Sequence, residues 1–323
     1  MIQVKNLAKS FGPKRAVDGV SFNVDVGEVL GFLGPNGAGK STTMRMITGF
    51  IPPTEGTVVV GGHDILNNPI EAKKLIGYLP ENAPAYADMT VYGFLNFVAE
   101  LRGLRGEEKK KAVSKVIEMC FLETVVNQSI DTLSKGFRHR TCFAQSIIHD
   151  PPVLVLDEPT DGLDPNQKHE VRTLIKRMGE KKAIIFSTHI LEEVEAACTR
   201  AIIIDRGKIV ANGTPDQLKR MSELAGTVIL RIKDVSPEVV TQKISELPCA
   251  RRVAVISQTD GAAASVRVYP RPNIADGELA RAVGALAVQM QWKVEELRTD
   301  EGRLDEVFRN ITLPDTVKKE SEK

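Results

Sequence analysis

An α/β fold with a helical insertion, followed by a small α+β unit, is predicted by three observations. First, the apolar run Val29-Leu30-Gly31-Phe32-Leu33 enters a glycine-rich turn, Gly34 to Gly39, and then a helical stretch over 42–48. Second, Val153-Leu154-Val155-Leu156 is unbroken by polar residues and ends in Asp157-Glu158, the pattern of a parallel strand buried on both faces. Third, beyond about residue 222 the strand and helix signals follow a βαββαβ order, which fits a small ferredoxin-like sheet.

In chain order, Gly34-Pro35-Asn36-Gly37-Ala38-Gly39-Lys40-Ser41 fits the pattern G-x-x-x-x-G-K-[ST] in the strand–loop–helix setting that its chemistry needs. Glycines let the backbone curl so that successive N–H groups point inward at phosphate oxygens. The following helix start, with Thr42, adds a partial positive charge aimed at the same anion. Lys40 is expected at the β- and γ-phosphates, and the Ser41 hydroxyl at a magnesium ion. A nucleoside triphosphate site follows.

Residues 57–60 read as a strand. Residues 91–101 and 108–120 have the three-and-four spacing of amphipathic helices, and 136–149 makes a third. Strands resume at 153–156, 183–186 and 201–204. Ligands of open α/β sheets gather at the carboxyl ends of the strands, where Asp157 and Glu158 stand. Asp157 is expected to support the metal shell, and Glu158 to polarise the attacking water. Asp164-Pro165 marks a helix start.

With Leu133-Ser134-Lys135-Gly136-Phe137 and Ser187-Thr188-His189 added, residues 1 to about 220 resemble the ATP-binding subunit of ATP-binding-cassette (ABC) transporters. The motifs occur in that family's order and spacing. Ile76-Gly77-Tyr78-Leu79-Pro80-Glu81-Asn82, the lysine in the signature and the ending Leu304-Asp305-Glu306-Val307-Phe308 are similar to the ABC-2-type exporters of gliding motility and drug efflux. The resemblance implies a P-loop NTPase of the ABC type over 1–222, with a helical subdomain over about 88–149. A ferredoxin-like accessory domain over 223–312 and a tail over 313–323 would complete the chain.

The resemblance also implies roles. Phe11 would stack on adenine in place of the usual Tyr, and Val17 would flank the base. Gly34 to Thr42 would hold the triphosphate of ATP, and Ser41, Glu81 and Asp157 would surround Mg²⁺. Ser134 and Gly136 would bind the γ-phosphate held by a second subunit, Asp164 would lie on the loop that crosses between subunits, and Glu158 and His189 would be catalytic. Glu81 stands where a Gln is usual, and a carboxylate is the better ligand for a hard cation. The signature reads Leu-Ser-Lys-Gly-Phe instead of Leu-Ser-Gly-Gly-Gln. Lys135 is expected to add positive charge near the phosphate, and Phe137 removes a polar side chain.

The partners implied are a paired ATPase subunit, identical or related, and a separately encoded integral-membrane permease. The implied location is the cytoplasm, at the inner face of the cell membrane. Soluble cassette proteins of translation join two cassettes in one chain, and those of DNA repair insert long coiled coils; neither pattern occurs here. A non-catalytic sensor would be expected to lack Glu158 or His189.

Composition agrees. Forty-three basic against 42 acidic residues leave a net charge of +1 over 323 residues, too balanced for a nucleic-acid-binding surface, and the length predicts two domains. Cys120, Cys142, Cys198 and Cys249 are widely spaced and expected to be reduced. Apolar runs fall well short of the ~18 residues of a membrane helix. His63, His139, His149 and His169 sit in turn or helix settings with no site signal. In the C-terminal part, 227–232, 252–256, 265–269 and 292–297 read as strands, and 238–245, 278–290 and 304–311 as helices. Val228-Ile229-Leu230, Val253-Ala254-Val255-Ile256 and Val266-Arg267-Val268 are expected to present apolar residues on both faces of the sheet, leaving the second face to be paired.

Overall fold

The computed structural model describes residues 1–82, 84–259 and 263–312; the expected tail over 313–323 lies outside them. The chain divides into two units, Met1–Pro215 and Asp216–Lys323.

The first unit is organised by a six-stranded sheet in the order Lys208–Gly213, Arg200–Asp205, Val29–Leu33, Ala183–Thr188, Val153–Asp157, Ile76–Leu79. All neighbours are parallel except the first pair. Every residue of Val29–Leu33, Val153–Asp157 and Ala183–Thr188 is buried, which explains the unbroken apolar runs: both faces are covered. Alternation splits them between two cores. Leu154, Leu156, Ile184 and Phe186 join the core with the inserted helices. Val153, Val155 and Ile185 join the core with Ile202, Ile204, Met44 and an antiparallel sheet. That second sheet has the order Lys14–Val24, Ile2–Phe11, Glu55–Val60, His63–Asp64.

Register does the positioning. Leu33 pairs with Thr188, and Asp157 with Ser187. The residues that follow these strands therefore emerge at one edge of the sheet, where the sequence placed its glycine loop, its acids and His189.

The inserted helices are Val91–Leu101, Gly106–Met119 and Lys135–Ile147. Thr90 caps the first by accepting from the Gly93 N–H at 3.1 Å, and Phe94, Leu95, Val98, Val116 and Phe143 close their shared core. Burial holds the thiols well above their ordinary range, to about 12 for Cys120 and about 11 for Cys142, as expected for inert packing groups.

In the second unit the antiparallel order is Ala250–Thr259, Ala263–Pro270, Val228–Lys233, Lys293–Thr299. With helices Pro237–Ser245 and Glu278–Gln289 it makes the βαββαβ, ferredoxin-like arrangement. Val228, Leu230, Ile232, Val266 and Val268 pack with Val240, Ile244, Leu279 and Val283. The two-faced apolar pattern expected here holds at Ile229, 6% exposed on the alternate face, but not at its neighbours there. Arg267 lies opposite Ile229, and Glu296 opposite Arg231, so the alternate face is largely charged. Arg231 and Lys233 both pair with Glu295, and Arg298 pairs with Glu296. Val255 and Ile256 are half-exposed on an edge strand whose register shifts between Val255 and Ser257.

The unit boundary falls at Pro215, ahead of the expected 222. Residues after it pack inside the second unit: Ser222 Oγ donates to Glu306, and a Cβ on Gly302 (φ +88°) would lie 2.3 Å from the Lys219 carbonyl.

Candidate active site

At the carboxyl edge of the parallel sheet, Gly34 to Gly39 form the loop between Val29–Leu33 and the helix Lys40–Ile47. Two of its glycines have no substitute. A Cβ at Gly34 would lie 2.5 Å from the Ile204 carbonyl oxygen, and one at Gly39, at φ +110°, 2.7 Å from that of Ala16. Lys40 is 6% exposed. Its ammonium donates to the Gly34 carbonyl at 2.8 Å and lies 3.6 Å from Glu158 Oε1. The loop is thus held in shape by the cation that a phosphate would draw away.

The two strand-end acids have separate environments. Asp157 is fully buried. Its Oδ1 accepts from Ser187 Oγ at 2.5 Å and from Ser41 Oγ at 3.2 Å, while Oδ2 has no hydrogen-bond partner among the described residues. An orphaned carboxylate oxygen beside a serine hydroxyl fits a hard cation that takes one or two protein ligands and fills its shell with phosphate oxygens and water. Glu158, at φ +50°, points away from its neighbour. Its N–H donates to Ser187 Oγ at 3.0 Å, and its Oε2 accepts from His189 Nδ1 at 3.0 Å. Burial raises the Glu158 carboxyl above its ordinary range, opposed by the His189 hydrogen bond and the Lys40 charge. A raised carboxylate that lines the cavity suits a general base.

A cavity of about 570 Å³ gathers Phe11, Lys14, Ala16, Asn36, Gly37, Gly39 to Thr42, Glu81, Glu158, Asp161 and His189. Phe11 is half-exposed, with Lys9 Nζ 5.4 Å from its ring. Pro35 and Ala38 complete the loop, the Ala38 N–H donating to the Pro35 carbonyl at 3.1 Å. Val17 does not line the cavity: it is fully buried in the core, its Cγ2 3.4 Å from where a Cβ on Gly39 would lie, while Lys14 and Ala16 line the cavity.

Ser134, Gly136 and Asp164 do not line this cavity. Ser134 caps Lys135–Ile147 by accepting from the Phe137 N–H, and Asp164 caps Pro165–Gly179 by accepting from the Gln167 N–H at 2.9 Å. The two segments are packed together, since a Cβ on Gly136 would lie 2.5 Å from Gln167 Oε1. Lys135, expected as charge for the phosphate, is paired to Asp161 at 2.8 Å and lies over Gly162, so its charge is already balanced within the subunit. Ser187 carries no functional signal in the sequence. Its position between Asp157 and Glu158 depends on the pairing of two strands thirty residues apart, which no local pattern announces.

The chain matches the ABC transporter family over residues 17–161. It is 37% identical over 233 residues to the linearmycin resistance ATP-binding protein of Bacillus subtilis, covering 72% of this chain and 74% of that one. To a probable multidrug ABC transporter ATP-binding protein of Escherichia coli it is 40% identical over 223 residues, 69% of this chain but 38% of that longer one. The Nod factor export ATP-binding protein I of Burkholderia orbicola is 35% identical over 76% of this chain and 80% of its own length. Among solved structures, an ATP-binding subunit of an ABC transporter superposes with a TM-score of 0.64 at 29% identity, over 68% of this chain and 92% of that one. A dimeric ATP-binding cassette in a post-hydrolysis state, bound to ADP and Pi, gives 0.62 at 25% identity over 67% and 99%.

Proposed function

This chain belongs to the ATP-binding subunits of ABC transporters, ATPases that power transport, and from that premise we propose how its residues divide the work. Two copies, or this chain and a related one, sandwich each ATP between Gly34–Thr42 of one subunit and Ser134–Gly136 of the other. The observation that carries this reading is the separation within one chain: Lys40, Glu158 and His189 surround one cavity, and Ser134 and Gly136 lie outside it. A full site then needs a second subunit.

Within the site, Lys40 exchanges the Gly34 carbonyl for phosphate oxygens. Glu158 accepts a proton from the water that attacks the γ-phosphorus, and His189 holds Glu158 and reaches the same phosphate. Ser41 and Asp157 would hold Mg²⁺, with Glu81 at the rim; the ion would supply charge compensation for the phosphates. Phe11 would cover the base.

The proposed transport partner is a separately encoded membrane permease, and the proposed work is export, the word that the name of the Burkholderia relative carries. No helix among the described residues is long and apolar enough to cross a membrane, and the proposed place of this chain is the cytoplasmic face, bound to that permease. The proposed domains remain an ATP-binding domain over 1–222 and an accessory domain over 223–312, a reading that the division into compact units near Pro215 supports.

The test is the Glu158→Gln variant. Turnover should fall by about 10³-fold, within the range for a lost general base, while ATP converts monomer to dimer on size exclusion with light scattering. Turnover comparable to the unmodified protein would remove Glu158 from the chemistry. An unchanged monomer in ATP would remove the sandwich.

A further inference from the structure

Glu193 is a carboxylate that the mechanism above leaves without a task. It lies in the first turn of Leu191–Ala197 and is 1% exposed. Its Oε1 accepts from Thr160 Oγ1, and its Oε2 accepts from Thr188 Oγ1 at 2.7 Å; both bonds are to hydroxyls, not to cations. Thr160 and Thr188 are themselves 2% and 0% exposed. Burying a carboxylate against two hydroxyls is an expensive way to pack a helix, so its geometry points to a use.

Thr160 stands two residues after Glu158, and Thr188 one residue before His189. The two proposed hydrolytic residues meet on the cavity side, His189 Nδ1 donating to Glu158 Oε2 at 3.0 Å. Glu193 joins their two segments from behind, so the contacts close a ring: Glu158, Thr160, Glu193, Thr188, His189 and back to Glu158. The N–H of Asp161 donates to the Glu158 carbonyl at 3.1 Å, which holds the Thr160 turn to Glu158. On the other side Thr188 Oγ1 accepts from the Ile190 N–H at 3.0 Å, which holds the turn that carries His189.

A carboxylate suits this place because it only accepts. Both threonine protons must then point at Glu193, which leaves the Thr188 oxygen free to accept from Ile190. A glutamine of the same shape would present its NH₂ group to one of the two hydroxyls, and that hydroxyl proton would have to turn away within the core. We propose that Glu193 is a positioning residue for ATP hydrolysis, an anionic clasp that fixes the loop after Glu158 and the turn of His189 in mutual register. The proposal rests on the reading of Glu158 and His189 as the hydrolytic pair.

The experiment uses the full chain, with kcat, KM for ATP, melting midpoint and the pH profile of kcat measured for Glu193→Gln. The expected result is a kcat lowered about tenfold with KM within about twofold, since phosphate binding does not pass through the clasp. The acid limb of the profile should move to higher pH, because a loosened His189 no longer lowers the Glu158 carboxyl. Thr160→Val, which cuts one arm at nearly constant volume, should lower kcat in the same way, and its combination with Glu193→Gln should be no worse than Glu193→Gln alone. If Glu193→Gln does not fold, Thr160→Val carries the test, and an unchanged kcat there overturns the proposal. Glu158→Gln and His189→Ala run in parallel. Should those two keep full turnover, the premise fails; should they lose it while Glu193→Gln retains the kcat and acid limb of the unmodified protein, the clasp alone is refuted.

Discussion

The two units treat carboxylates differently, although the second also buries one, Asp300, against Arg267. In Met1–Pro215 the strands are buried on both faces, and carboxylates are carried into the protein: Asp157 is fully buried, Glu193 is 1% exposed, and Asp157 Oδ2 has no hydrogen-bond partner among the described residues. In Asp216–Lys323 the sheet alternates, and its alternate face pairs charges with one another, Arg231 and Lys233 with Glu295, Arg298 with Glu296. Exposed pairs of this kind contribute little to stability and present no unmet bonding capacity to a ligand. Chemistry is expected where burial has left a polar group in need of something, and that condition is met at the carboxyl edge of the parallel sheet.

Four measurements bear on this contrast, the largest expected effect first. Ser187→Ala removes the hydroxyl that donates to Asp157 and accepts from the Glu158 N–H. Turnover should fall about 10- to 100-fold, the equivalent of losing one or two oriented bonds of about 1.5 kcal/mol at a charged centre. A variant within twofold of the unmodified protein would show that the acids are held by the sheet alone.

Stability against acid is next. Burial pushes the His149 imidazole down to about 4, and its Nε2 donates to the Ile76 carbonyl at 3.2 Å. The fold therefore favours the neutral ring, whereas the unfolded chain takes up its proton near the ordinary value. The stabilisation is complete above about pH 6.5 and is lost as pH falls toward 4, with a magnitude of about 2 kcal/mol after allowance for partial exposure. Melting midpoints of the unmodified protein and His149→Gln between pH 7.5 and 5 should converge as the solution is acidified. Parallel curves would place the acid sensitivity elsewhere.

A smaller effect is expected at Glu81, which lines the cavity. If its carboxylate faces the bound cation, Glu81→Gln should raise the magnesium concentration for half-maximal turnover about threefold, a neutral oxygen being the weaker ligand. An unchanged requirement would direct Glu81 to the permease instead. Last, Glu295→Gln in the second unit should leave both ATP turnover and the melting midpoint where they were, although it breaks two ion pairs. A clear loss of either would overturn the contrast between the units.

What the sequence revealed divides along the same line. Gly34–Ser41, Asp157-Glu158 and His189 could be read because each sits in a contiguous pattern whose physics is local: a glycine turn, an apolar run ending in acids, a polar residue after a strand. Ser187 and Glu193 could not, because each depends on a partner thirty or more residues away, Asp157 for the first and Thr160 for the second. The phase of Lys14–Val24, which puts Val17 in the core and Lys14 and Ala16 on the cavity, was not legible either. The ferredoxin-like order was legible from the alternation of element types. Which side of that sheet each valine takes was not, since Val253-Ala254-Val255-Ile256 contains no polar residue to mark the phase before the register shift near Ser257.

The bond from Lys40 to the Gly34 carbonyl has a consequence for selectivity. An incoming ligand must displace that carbonyl and the nearby Glu158 oxygen, at 2.8 and 3.6 Å, as partners of the ammonium, and only a dense cluster of negative oxygens competes well with both. The contact proposed for the base is Phe11, a half-exposed ring with no hydrogen-bonding atom to distinguish one purine from another. Discrimination is thereby concentrated at the phosphate end. ADP and AMP should be separated from ATP by far more than GTP is, so that in a cell the occupancy of this loop follows the state of the adenylate pool more closely than the identity of the purine.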